Sequence, residues 1–141
     1  MKINYKRLLI FTLVPVVLGT IVGLLTSVNS DIDPIIPAWI FPVVWTILYI
    51  LMGISSYLVY EKSNELPRIY VIQLIFNLLW SFVFFTFKWY LLAFVWIIIL
   101  FILVIKMILE FRKTSTLASN LQIPYLLWLI VAAILNFMYL I

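Results

Sequence analysis

Apolar residues fill this chain in long blocks, and the charges are confined to the joints between them. Stretches free of Asp, Glu, Lys and Arg end at Ser30, Tyr60, Phe87, Ile105 and Ile141. A bilayer span takes about 20 predominantly apolar residues. The pattern therefore predicts an all-α integral membrane bundle of five transmembrane helices, at about 8–28, 38–60, 68–87, 90–111 and 117–141, within one domain covering 1–141.

The second block, 37–60, carries more detail than a lipid-facing anchor needs. On a helix, Trp45, Tyr49, Met52 or Gly53, Ser56 and Tyr60 recur at steps of three or four and form one inward stripe, while Val44, Leu48, Leu51, Ile54 and Leu58 supply apolar surface elsewhere. Indole and phenol rings offer a large apolar face with a donor at the edge. Such a stripe either packs against neighbouring helices or stacks on a flat, partly polar molecule.

The remaining blocks add three features. Gly19 and Gly23 form a G-x-x-x-G pair, downstream of Pro15, that permits close helix approach either within the chain or to a second protomer. Gln73, Asn77 and Ser81 share one face of the third span beside Trp80, and in a bilayer they must turn inward, toward each other's helices or toward a ligand. On the fifth span Trp128, Ala132, Leu135 and Asn136 share a face, and Pro124 is expected to kink the helix near its start. The fourth span is nearly all Ile, Leu, Val and Phe apart from Trp96 and reads as bundle wall.

Of the joints, 29–37 holds Asp31, Asp33, Pro34 and Pro37, residues that break helices and cap their starts. The segment 61–68 reads as a solvated turn, with Pro67 placed to open the next helix. Lys88, Trp89 and Tyr90 make an interfacial turn of aromatic-belt composition. Lys106 and Glu110 are spaced to pair along the fourth helix. The basic start followed by an apolar run resembles a signal peptide, but the run continues for about twenty residues with no A-x-A-like site, so it is read as a retained span.

Composition narrows the chemistry. In 141 residues, 67% are hydrophobic and 10% charged, where soluble domains carry about 25% charged residues. Cysteine and histidine are absent, which removes disulfides, thiolate chemistry, zinc sites and His-ligated haem; no metal site and no cofactor are expected. Asp31, Asp33, Glu61, Glu65 and Glu110 all fall in joints or at predicted helix ends. Without an intramembrane carboxylate there is neither a proton-coupling group for an antiporter nor a base for a hydrolase triad. Nothing in the pattern calls for nucleic acid.

With alternating helices, Lys2, Lys6, Arg7, Lys62, Arg68, Lys106, Arg112 and Lys113 fall on one side and Lys88 alone on the other. The positive-inside rule then predicts a multi-pass protein of the cell membrane with a cytoplasmic N-terminus and the C-terminus outside.

Three motifs also resemble a known family. Pro37, Trp39, Phe41, Val44, Trp45, Leu48, Tyr49, Met52, Gly53, Tyr57, Leu58 and Val59 follow the second helix of the TspO/MBR family, the tryptophan-rich translocator proteins also called peripheral benzodiazepine receptors. Gln73, Leu74, Asn77, Trp80, Phe84 and Phe85 follow its third helix; Pro124, Tyr125, Leu126, Trp128, Ala132, Leu135 and Asn136 follow its fifth. Pro42-Val43 stands where the family has Gly-Pro, the loop over the pocket is shorter, and the basic residue that ends the family's sterol-recognition segment is absent after Tyr139.

The resemblance to a bacterial-type member implies a homodimer and a pocket between the second, third and fifth helices. That pocket would be lined by Trp45, Tyr49, Asn77, Trp80, Trp128, Ala132 and Leu135, with Trp39 and Phe41 near its mouth. It implies binding of tetrapyrroles such as protoporphyrin and other planar hydrophobes, within membrane lipid. Some members are associated with light- and oxygen-dependent porphyrin breakdown, for which Trp45 and Trp128 are the candidate catalytic residues. A transmembrane carrier or a regulatory, sensor-like subunit without catalysis is the alternative.

Overall fold

A computed structural model of the chain describes residues 2–27 and 35–141. The described residues contain helices and no strand: α1 (Tyr5–Ser27), α2 (Ile40–Ser63), α3 (Arg68–Ser81), α4 (Tyr90–Arg112), the short α5 (Thr116–Asn120) and α6 (Ile123–Leu140). A single π-helical turn, Phe82–Thr86, extends α3, and α5 with α6 make one span, so five segments are long and apolar enough to cross a membrane. Asp31, Asp33 and Pro34, expected to shape the first connection, lie outside the described residues.

Local chemistry sets several helix ends. α2 stops at Asn64, whose left-handed backbone (φ 58°) suits asparagine and whose N–H returns to the Tyr60 carbonyl at 2.8 Å. After the π turn, Phe87 N–H reaches the Phe82 carbonyl at 2.9 Å and Trp89 N–H that of Val83 at 3.1 Å, closed off by Lys88 at φ 55°. Ser115 caps α5, its Oγ accepting the Ala118 N–H at 3.1 Å.

Four expectations are revised. Pro124 does not kink a continuous helix: the span breaks at Leu121–Gln122, and Pro124 occupies the first turn of α6, where its missing N–H costs nothing. Glu61 is not in a solvated turn but in the last turns of α2, where it accepts a hydrogen bond from Arg7 of α1 at 2.7 Å. Glu110 pairs with Lys113 at 3.1 Å instead of with Lys106. Leu48, expected on the outer surface of α2, is buried.

α1 is the peripheral helix, apolar toward lipid along most of its length and seated on α2. Two glycines bring the pair together. A Cβ on Gly53 would overlap the backbone of Thr12, and a Cβ on Gly19 would overlap the Tyr49 ring. Gly19 thus serves contact within the chain, whereas Gly23 has open space around it. α4 proves to be more than wall: Ala93, Ile97, Leu100, Val104, Met107, Ile108 and Phe111 form a dry stripe against α3, α5 and α6.

The helix ends rich in lysine and arginine meet at one end of the bundle. Arg7–Glu61 joins α1 to α2, the Tyr70 and Phe111 rings join α3 to α4, and Arg112 Nε donates to Ser119 Oγ at 3.2 Å. At the opposite end α2 starts late: Phe41 meets Trp128 edge to face, yet α6 runs on from there to Leu140. α6 therefore continues well past the level at which α2 begins.

Candidate functional site

The inward stripe of α2 carries Trp45 and Tyr49, stacked at 5.8 Å with their planes 27° apart. Four residues separate them, so one ring lies above the other along the helix. Across the seam α6 presents Tyr125 and Trp128. Trp45 meets Tyr125 at 6.3 Å and Trp128 at 6.4 Å, both edge to face, the geometry favoured by ring quadrupoles. Phe41 closes the cluster against Trp128 at 6.1 Å.

Beneath these rings runs a chain of buried hydrogen bonds. Tyr49 Oη donates to Asn77 Oδ1 at 2.6 Å, and Asn77 Nδ2 donates to Tyr125 Oη at 2.7 Å. Tyr125 Oη in turn donates to Gln73 Oε1 at 2.9 Å, and Gln73 Nε2 donates to the Tyr70 carbonyl at 2.9 Å. α2, α3 and α6 are joined by four side chains in which each hydroxyl and amide has its partner, the arrangement a bilayer interior demands. For Gln73 and Asn77 the interhelical role is thus realised.

Three buried side-chain polar atoms among the described residues lack a partner: Gln122 Oε1, Asn136 Oδ1 and, within the aromatic cluster, the indole nitrogen of Trp128. The Trp128 Nε1–H is buried and has no acceptor among the described residues. An indole donor shielded from water normally finds a partner, so this N–H marks a place where an acceptor belongs.

The sequence-predicted residues divide between locations. Trp45, Tyr49, Asn77, Trp128 and Phe41 come together in the seam. Ala132, buried, and Leu135, half-buried, follow Trp128 up the face of α6. Trp39 stands ahead of α2 and is 66% exposed. Trp80 sits in a second aromatic cluster: its ring stacks on Phe84 at 5.0 Å, and its N–H donates to the Ala93 carbonyl on α4 at 3.2 Å. Phe84 leads on from there to Tyr90 and Tyr139.

Two residues central to the seam were not singled out from the sequence as site residues. Tyr125 is the hub of the buried network and faces Trp45. Gln122 donates from Nε2 to Ser55 Oγ at 2.8 Å and to the Leu51 carbonyl at 3.1 Å, bracing α2 at the break before α6. The available signal was a hydroxyl and an amide within an apolar span, where each requires a partner.

A multi-pass helical membrane protein with an interior aromatic seam is the class these features define. The sequence model of the TspO/MBR family matches residues 11–141. The tryptophan-rich protein TspO of Chlorobaculum tepidum is 41% identical over 118 residues, covering 79% of this chain and 73% of that protein. The tryptophan-rich sensory protein of Cereibacter sphaeroides is 37% identical over 103 residues, covering 72% of this chain and 65% of the relative. The translocator protein of Ovis aries is 32% identical over 108 residues, covering 72% and 64%. The matched region is just under two thirds of the latter two proteins. This chain belongs to the TspO/MBR family.

Proposed function

We propose that the protein binds tetrapyrroles of the protoporphyrin type, and other planar hydrophobes, in the seam between α2, α3 and α6. The observation that carries this reading is the unpartnered Trp128 Nε1–H, buried beside the rings of Trp45 and Phe41. A flat ligand inserted there replaces ring edges by ring faces and brings an acceptor, a carboxylate or carbonyl, to the indole donor. Tyr49 and Asn77 form the floor, Ala132 is the small residue one turn beyond Trp128, Leu135 flanks the upper wall, and Trp39 and Phe41 stand at the mouth. The late start of α2 supports approach from the end of the bundle opposite the basic one. In the cell membrane that is the outer face, with the N-terminus in the cytoplasm, and the working form is a homodimer.

Light- and oxygen-dependent breakdown of the bound porphyrin is the further activity in this reading, with Trp45 and Trp128 as the residues that meet the excited macrocycle. The alternative, a carrier or sensor without catalysis, draws support from the names of its relatives, a translocator protein and a sensory protein. Two measurements test the reading. Protoporphyrin titrated into wild type should quench tryptophan fluorescence saturably, and Ala132→Leu, which adds bulk one turn beyond Trp128, should abolish saturation; equal quenching in both places the ligand elsewhere. Product analysis of the complex, illuminated against dark, then separates degradation from binding alone.

A further inference from the structure

At the basic end of the bundle a cleft of about 450 Å³ opens between the start of α3 and the last turns of α4, lined by Pro67, Arg68, Ile69, Lys106, Leu109 and Glu110. We propose that this cleft holds the phosphate headgroup of an anionic membrane phospholipid.

Two cations face it without an anion of their own. The ion pairs among the described residues are Arg7–Glu61 and Lys113–Glu110, so Arg68 and Lys106 have none, and the carboxylate on the cleft wall is engaged by Lys113. Lys106 lies six residues before the end of α4, which at about 1.5 Å rise per residue sets its Cα about 9 Å inside the helix terminus. A lysine at that depth extends its ammonium toward the interface, and Arg68 approaches the same space from α3. The guanidinium fork suits two phosphate oxygens, and the ammonium supplies a point charge beside it.

Two features favour a lipid over free phosphate. Leu109, 56% exposed, and Ile69 continue the cleft into the apolar flank of the bundle, a surface for acyl chains. The cleft also lies at the interface level of the end that carries eight of the nine basic residues, the side where anionic headgroups and basic pockets between transmembrane helices meet. Pro67 precedes α3 with no side-chain cap, so the positive end of the helix dipole adds to the field.

The test compares wild type, Arg68→Gln/Lys106→Gln, and a control, Lys2→Gln/Lys62→Gln, which removes the same charge from the same end outside the cleft. Each is reconstituted in nanodiscs of phosphatidylcholine mixed with phosphatidylglycerol, checked for helicity, and released for native mass spectrometry to count retained lipid. Wild type and control should retain phosphatidylglycerol over phosphatidylcholine, and the cleft variant should lose that preference by about tenfold or more. Equal loss in the control, or undiminished retention in the cleft variant, overturns the proposal. So does displacement of the retained lipid by millimolar inorganic phosphate, which would make the cleft a site for the free ion.

Discussion

Asn77 Nδ2 lies 2.7 Å from the hydroxyl of Tyr125 and is its donor, while Asn77 Oδ1 receives the hydroxyl of Tyr49. One amide on α3 therefore determines where two rings of the seam, on α2 and α6, present their faces. Removing the Tyr125 hydroxyl leaves Asn77 Nδ2 and Gln73 Oε1 buried without their partner. Tyr125→Phe should lower stability by about 1 to 3 kcal/mol, the cost of stranding buried polar groups, and Asn77→Ala should do the same by stranding the Tyr49 hydroxyl, while Tyr125 keeps Gln73 as its acceptor. Reversible unfolding in mild detergent measures both; a change within error for either shows that the network is not under load.

The two kinds of glycine should behave oppositely. Gly53→Ala forces a methyl against the Thr12 backbone, which has no room to yield, and should cost about 1 to 3 kcal/mol as overpacking. Gly23→Ala meets open space and should be neutral or stabilising, by up to about 1 kcal/mol of helix propensity. Equal effects of the two substitutions in the same unfolding assay would contradict the α1–α2 contact.

Arg7 and Glu61 form an ion pair whose arginine side chain is 40% exposed, with the guanidinium 5.4 Å from the Tyr60 ring centroid. With Glu61 15% exposed the pair is only partly in solvent, and screening on the arginine side limits its contribution. Arg7→Gln should lower stability less than Tyr125→Phe does, and the loss should shrink as salt is raised from low to molar concentration. A loss that is large and insensitive to salt would mean that Arg7 acts through packing.

For the proposed photochemistry, Trp45→Phe and Trp128→Phe keep an aromatic face but remove the readily oxidised indole. Porphyrin affinity should fall by about 1 kcal/mol, the scale of one aromatic contact, while light-dependent turnover should fall far more. Bleaching at an unchanged rate in the double Phe variant, or equally fast in empty micelles, leaves binding as the function.

The orientation proposed from charge is checked by a tag fused after Ile141. It should be accessible to a membrane-impermeant reagent on intact cells, and labelling only after lysis would reverse the assignment.

The five spans were legible in the sequence because a bilayer imposes a length and an apolar composition on each helix separately, and both are local properties. The resemblance of 37–60, the third helix and the fifth to the TspO/MBR family was legible for a related reason: Trp45 and Tyr49, Asn77 and Trp80, and Tyr125 and Trp128 are each spaced within one helix. Partners across helices were not. Sequence spacing put Lys106 four residues from Glu110, yet Lys113 took the carboxylate; it showed Pro124 inside a span, and the chain used it to start a new helix. The family resemblance grouped Trp80 with Trp45, whereas in the bundle its indole N–H is directed to the Ala93 carbonyl of α4. Spacing along one helix fixes a relative angle, but which neighbour stands at that angle depends on how the helices pack. The close approach of α1 to α2 at Gly53, and the Tyr49–Asn77–Tyr125 chain that ties α2, α3 and α6, exist only once the bundle has assembled, because their donors, acceptors and contact surfaces come from different helices.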